Sequence, residues 1–180
     1  VMSDVGGVRL DFVGRDRVKL SSPSGRCDVC VAVGEASLLF NEHARREAIA
    51  LTYETASESA GMYGDRNRIK QVFVNVLDNA FKYSEQGGSI LVQAVLDQNT
   101  VRISIQDCGC GISQADLPHV TEKFYKANTA VRGSGIGLAV VAEIVTMHGG
   151  ELHIDSTPGE GTIVTLRFPI ETQAALPKGE

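Results

Sequence analysis

Residues 89–106 hold two alternating runs, Ser89–Leu96 and Thr100–Gln106, separated only by Asp97-Gln98-Asn99. A connection that short cannot carry a crossover, so the runs must be antiparallel neighbours. A second pair of the same kind, Glu151–Ser156 and Thr162–Pro169, flanks Thr157-Pro158-Gly159-Glu160-Gly161. Hairpins that alternate apolar and polar residues bury one face each, and that face must be covered by another layer.

Helical segments supply the cover. From about Val33 to Glu47 the apolar residues Ala36, Leu39, Phe40 and Ala44 recur at helical spacing, and Ile49–Glu54 then alternates as a strand. Asp65 is placed to cap a long helix running to about Lys82. Ser113 with Asp116 resembles a capping box that opens a short helix. Lys126–Gly135 reads as a loop of small and polar residues before a helix to about His148. The fold expected is an α/β (α+β) two-layer sandwich: a mixed, mainly antiparallel sheet with helices packed on one face and a mobile lid from about Ser113 to Arg132. The domain is expected over residues 29–172. Residues 1–28 read as a linker or remnant of an upstream segment, with Val8–Phe12 and Arg17–Leu20 pairing as a hairpin across Gly14-Arg15-Asp16. Residues 173–180 read as a flexible tail.

Charge and composition narrow the function. Hydrophobic residues make up 43% and charged residues 22%, which excludes a disordered chain. A formal net charge of -5 speaks against a nucleic-acid binder. No apolar run approaches the ~18–20 residues of a membrane span, and no signal peptide is visible. A cytoplasmic domain without membrane contact of its own is expected. The four cysteines form two close pairs, Cys27/Cys30 and Cys108/Cys110. A tetrahedral zinc would need both pairs, but the second lies inside a motif with another task, so reduced thiols are expected.

Three segments carry the chemistry. On the helix ending at Lys82, Ile69, Val72, Phe73, Val76, Leu77 and Ala80 share an apolar face. Asn75, Asn79, Lys82 and Tyr83 form a polar stripe beside it, with Gln71 and Asp78 expected in solvent. Two asparagines at i and i+4 are poor helix formers; they offer neutral oxygens to a hard cation, and the lysine offers a charge to phosphate. The second segment is Val101–Gln106 followed by Asp107-Cys108-Gly109-Cys110-Gly111-Ile112. Val101, Ile103 and Ile105 share the inward face, and Asp107 continues it. A carboxylate there needs donors, for which an adenine amino group is suited. Gly109 and Gly111 are expected to let a flat base approach the backbone. The third segment, Gly133-Ser134-Gly135-Ile136-Gly137-Leu138, runs glycines into a helix start whose bare N–H groups suit phosphate oxygens. Its spacing is neither a dinucleotide fingerprint nor a P-loop.

These pieces, with Glu122-Lys123-Phe124-Tyr125 and Gly159-Glu160-Gly161-Thr162, occur in the same order as in the ATP-binding domain of sensor histidine kinases. That domain belongs to a superfamily shared with gyrase, MutL and the ninety-kilodalton heat-shock chaperone. The resemblance covers about Val29 to Ile170 and rests on five ordered motifs. It implies ATP and Mg²⁺ as cofactors, with Asn79 as metal ligand and Asn75 in support. It places Lys82 and Lys126 on phosphate, with Lys123 a further candidate, and Tyr83 near ribose or base. Asp107 would accept from the adenine amino group, with Gly109, Gly111 and Ile112 beside the ring and Thr162 reaching it through water. Phe124 would anchor the lid, and Gly133, Ser134, Gly135, Ile136, Gly137 and Leu138 would form the phosphate-side loop and helix start.

In the superfamily's ATPases the position corresponding to Asn75 is usually a glutamate that activates water. A neutral residue there points to transfer onto a protein nucleophile. The implied activity is that of a protein-histidine kinase whose partners are ATP/ADP, dimerisation helices bearing the acceptor histidine and, indirectly, a response regulator. His43, His119, His148 and His153 read as packing or surface residues. His43 is followed by Ala44, where the family's acceptor histidine is usually followed by an acid. The competing readings are an anti-sigma serine kinase of the same fold, and a nucleotide-binding interaction module without turnover.

Overall fold

The computed structural model describes residues 25–56, 59–127 and 133–170, together with the backbone of three strands between residues 4 and 21. Those strands, β1 (Asp4–Val5), β2 (Val8–Phe12) and β3 (Val18–Ser21), form a small antiparallel sheet. Phe12 lies opposite Val18, so the expected hairpin is present; its turn at Gly14–Asp16 lies outside the described residues, as does the tail at 173–180.

The main sheet has five strands in the order β5 (Ala50–Thr55), β7 (Ser89–Asp97), β8 (Thr100–Asp107), β10 (Gly161–Pro169), β9 (Glu151–Thr157). Only β5 and β7 run parallel, because a helix intervenes between them; the tight turns make every other pair antiparallel. In the β7–β8 turn Gln98 takes φ +48°, the left-handed geometry a short hairpin loop asks for.

Among the described residues four helices form the second layer: α1 (Val29–Leu39), α2 (Asn41–Arg46), α3 (Arg66–Tyr83) and α4 (Gly137–Met147). The six apolar residues expected on one side of α3 are all buried. They meet the inward residues Ile90 and Val92 of β7, Ile103 and Ile105 of β8, and Leu166 and Phe168 of β10 in one core. Phe73 meets Phe168 edge to face, with ring centres 6.4 Å apart. Burying a side chain of this size contributes about 1.5–3 kcal/mol, so this face holds helix to sheet. The α3 start is set by Asp65, whose carboxylate accepts from the N–H groups of Asn67 (2.8 Å) and Arg68 (3.1 Å).

The helix expected over Val33–Glu47 is two helices. Phe40 breaks it with φ -95° and ψ -2°, and its ring stacks on Phe81 at 5.2 Å. His43 packs on the same Phe81 ring at 5.0 Å. The first helix also starts earlier than expected, at Val29, because Asp28 caps it by accepting from the Val31 N–H at 3.1 Å. Residues 26–28, assigned from sequence to the upstream segment, form β4 (Arg26–Asp28), which pairs with β6 (Gly61–Tyr63) and buries Cys27 in the core. Three-residue strands show too little alternation to be read in advance. The helix expected after Ser113 is one 3-10 turn, Leu117–His119.

Candidate functional site

A cavity of about 230 Å³ opens where α3, the ends of β8 and β10, the lid and the start of α4 converge. Asn75, Asn79, Lys82 and Tyr83 line it from α3. Asp107, Gly111 and Ile112 line it from the end of β8, and Thr162 from β10. The lid contributes Lys126, and the glycine run contributes Gly133, Ser134, Gly135, Gly137 and Leu138. Arg132, the expected limit of the lid, lies outside the described residues.

Asp107 is the deepest charged group, 6% exposed, held between Ile90 of β7 and Thr162 of β10. Its Oδ1 accepts from the N–H groups of Gly109 (2.9 Å) and Thr162 (3.3 Å). Both bonds fall on one oxygen, so Oδ2 is left as an acceptor at the cavity. Burial pushes the carboxyl above its ordinary range, against the smaller opposite pull of those two hydrogen bonds. Beside it, Ser156 Oγ accepts from the Ile112 N–H (2.8 Å) and donates to the Gly161 carbonyl (2.8 Å). Its one proton is thus spoken for, so in the 2.9 Å contact with Thr162 Oγ1 it is Thr162 that donates. Thr162 then offers only lone pairs to the cavity. Two acceptors side by side suit a ligand that brings an amino group.

The other end of the cavity has opposite character. Helix α4 begins at Gly137 with Ile136 at its cap and no side chain bonded to its first N–H groups, so these are available to an anion. Asn75 donates from Nδ2 to the Gly137 carbonyl at 3.5 Å, and Asn79 Oδ1 also lies against Gly137. The α3 stripe therefore faces the α4 start, as a shared phosphate and cation site requires. Lys82 is ion-paired with Asp78 one turn earlier. Asp78, expected in solvent, lines the cavity beside it; an i, i+4 pair shares a helix face, and that spacing was the missed signal.

Four expected residues, Phe124, Ile136, Gly109 and Lys123, are not on the wall. Phe124 is 73% exposed with φ +69°, its N–H donating to the Gly135 carbonyl at 2.8 Å; the adjacent Tyr125 takes the place in the cavity. Ile136 serves as the α4 cap. Gly109 is required by the protein itself: a Cβ there would sit 2.3 Å from the Tyr83 carbonyl oxygen. Gly111 lines the cavity, yet its φ of +69° and a Cβ position 2.0 Å from the Thr157 carbonyl oxygen show that the protein also needs it there, apart from any base. Lys123 points to Glu143, at 3.9 Å on the surface. Ile105, expected on the inward face with Asp107, forms the apolar floor with Ile154 and Val164; these two and Ser156 carry no sequence signal of a site, since in one dimension they are ordinary strand positions.

Burial pushes the Tyr83 phenol up, and the neighbouring Cys110 thiol adds to this. In the lid, Ser113 Oγ donates to Asp116 Oδ2 at 2.6 Å and the Tyr125 hydroxyl donates to Asp116 Oδ1, holding that carboxyl below its usual range.

A sandwich with a half-polar cleft between α3, the sheet ends and an uncapped helix start is the layout of a nucleotide-binding domain. The family model described as histidine kinase-, DNA gyrase B- and HSP90-like ATPase matches residues 64–172, and the chain belongs to that family. ATP binding goes with that membership. Sporulation kinase A of Bacillus subtilis (strain 168) is 33% identical over 137 residues, 76% of this chain and 22% of that protein. The chain therefore spans about a fifth of the length of that curated relative. The catalytic domain of histidine kinase ThkA matches with a TM-score of 0.74 and 26% identity over 82% of this chain and 95% of that one. ThkA in complex with the response regulator TrrA shares the fold, with a TM-score of 0.71 and 23% identity over 87% of this chain and 44% of that one. The chain is a catalytic domain of the sensor histidine kinase kind.

Proposed function

We propose that this domain binds ATP with Mg²⁺ and passes the γ-phosphoryl to a histidine on dimerisation helices that lie outside this chain. The observation that carries the reading is the two-ended cavity: the buried acceptor Asp107 beside the part-buried Thr162 at one end, the α3 carboxamides against the bare α4 start at the other. Adenine would lie at the first end, its amino group donating to Asp107 Oδ2, and the phosphates at the second. The donor set fits magnesium, which takes few protein oxygens when phosphates supply the rest; Asn79 would hold it, with Asn75 in support. Bound there, the ion would offset charge on the transferring phosphoryl group.

Lys82 is steered by Asp78 and supplies positive charge beside the phosphates. Asn75 is neutral, so it cannot act as a base on water. Among the described residues the acids on the cavity wall are Asp107, at the base end, and Asp78, already paired. Water activation is thus poorly served, and an acceptor imidazole brings its own nucleophile. The histidines of this chain have other partners: His148 accepts from the Asp65 N–H at 3.1 Å, His153 faces Asp155, His119 faces Glu122 and His43 packs on Phe81. A response regulator would receive the phosphoryl group afterwards, and any membrane anchor would belong to the parent kinase. Among the described residues no helix is long and apolar enough to cross a membrane.

Isothermal titration with ADP and ATP tests the reading. Micromolar or weaker binding is expected with Mg²⁺, an affinity gain from the ion that disappears in Asn79→Ala, and little ATP turnover by the chain alone. No heat with either nucleotide in the presence of Mg²⁺ would end it.

A further inference from the structure

We propose, resting on the reading of the cavity as a nucleotide site, that Cys110 is a thiol-modification site at which small disulfides of the glutathione type reversibly exclude nucleotide. The four thiols are not equivalent. Cys27 and Cys30 are 4% and 5% exposed, and burial pushes both thiols up, which withholds the thiolate from reagents. Cys108 and Cys110 are both exposed and only Gly109 separates them, but they face different surroundings. Cys108 Sγ lies 3.3 Å from Ser89 Oγ and is not part of the cavity wall. Cys110 lines the cavity, next to the half-buried Tyr83.

The backbone around Cys110 is held on both sides, and its Sγ lies 3.6 Å from the Gly111 carbonyl oxygen. Its N–H donates to the Tyr83 carbonyl at 3.3 Å, and its carbonyl accepts from the Gly159 N–H at 2.8 Å. On either side, Gly109 and Gly111 press so closely on Tyr83 and Thr157 that neither tolerates a Cβ. The loop is held in place and Cys110 lines the cavity, so a bulky group joined to its Sγ competes with a ligand for a space of about 230 Å³. That this space is built for a ligand is indicated independently by Asp107, over nine-tenths buried with Oδ2 unpartnered among the described residues.

The chemistry balances without a further reagent. The Cys110 thiolate attacks one sulfur of the disulfide RSSR; a protein–S–S–R bond forms and the original S–S bond breaks. The released thiolate RS⁻ takes up the proton that Cys110 gave up. A free thiol reverses the exchange.

The test treats the chain with glutathione disulfide, locates adducts by mass spectrometry and measures Mg-ADP binding before and after. Adduct at Cys110 is expected to weaken binding at least tenfold, with dithiothreitol restoring it and the thermal unfolding transition retained. Saturating Mg-ADP should slow adduct formation at Cys110 several-fold and leave Cys108 unaffected. Cys108→Ser should remain sensitive to the reagent, and Cys110→Ser should bind equally before and after treatment. The proposal is overturned if Cys110 stays unmodified, if its adduct binds ADP normally, if the adduct unfolds the domain, or if nucleotide gives no protection. Failure of the untreated chain to bind ADP would instead sink the nucleotide reading, and this proposal with it.

Discussion

The base end of the cleft and the lid loop are built differently. At the base end, Asp107, Ser156 and Thr162 sit on paired strands, are largely buried and hold one another through bonds anchored in the sheet. In the lid, Ser113, Asp116 and Tyr125 bond mainly to each other within one loop, near the surface, and the single 3-10 turn there packs no buried residue. A site supported by sheet register is preorganised before ligand arrives; a loop held by a few local bonds opens at little expense. The difference suits a domain that must recognise a base and then release a spent nucleotide.

The largest effect should come from attacking the base end through its backbone. Gly111→Ala forces φ +69° on an alanine and drives a methyl group to 2.0 Å from the Thr157 carbonyl. A loss of about 3 kcal/mol or more is expected, read as a lowered urea midpoint; a variant within 0.5 kcal/mol of the parent (an ordinary surface change) would mean this end is not rigid.

Next is Asp107→Asn, which separates fold from function. The amide places a donor where the adenine amino group needs an acceptor, so ADP affinity should fall by about 2 kcal/mol, roughly 30-fold. Stability should move the other way. Because burial raises the folded-state pKa, the fold holds the proton more tightly than the unfolded chain does. Asp107 therefore favours folding most at acid pH, and its contribution declines as pH rises from the ordinary carboxylate range through the raised value. Thermal unfolding from pH 3 to 8 should show this decline weakened in the variant, which should be no less stable than the parent at pH 7. A variant that unfolds more easily at pH 7 and still binds ADP normally would make Asp107 structural.

The smallest effect is reserved for the lid. Tyr125→Phe removes the hydroxyl bond to Asp116 near the surface, worth about 0.5–1 kcal/mol locally. Global stability should hold within about 0.5 kcal/mol, while limited proteolysis between residues 113 and 127 speeds up. A change in global unfolding of the size seen for Gly111→Ala would abolish the contrast between the two regions.

The sequence made the layers legible because periodicity reports burial. The α3 face, the β7–β8 hairpin and the inward position of Asp107 all follow from spacings of 3.6 and 2 residues, and Asp65 announces its cap by type and place. The break at Phe40 could not be read this way, since it depends on Phe81 lying 41 positions further along the chain. Asp78 lines the cavity because it shares a helix face with Lys82, its i+4 partner, and of the two adjacent rings Phe124 and Tyr125 only the fold decides that Tyr125 turns inward.

Local chemistry along the chain thus determined which residues are helix, strand and turn, and which polar groups stand near an apolar face. Only the tertiary structure decided which of them share a cavity, because that depends on strand register and on how closely backbones approach. The Gly109 and Gly111 positions show the reason: what demands a glycine there is a carbonyl contributed by Tyr83 or by Thr157, contacts that exist only once the chain has closed on itself.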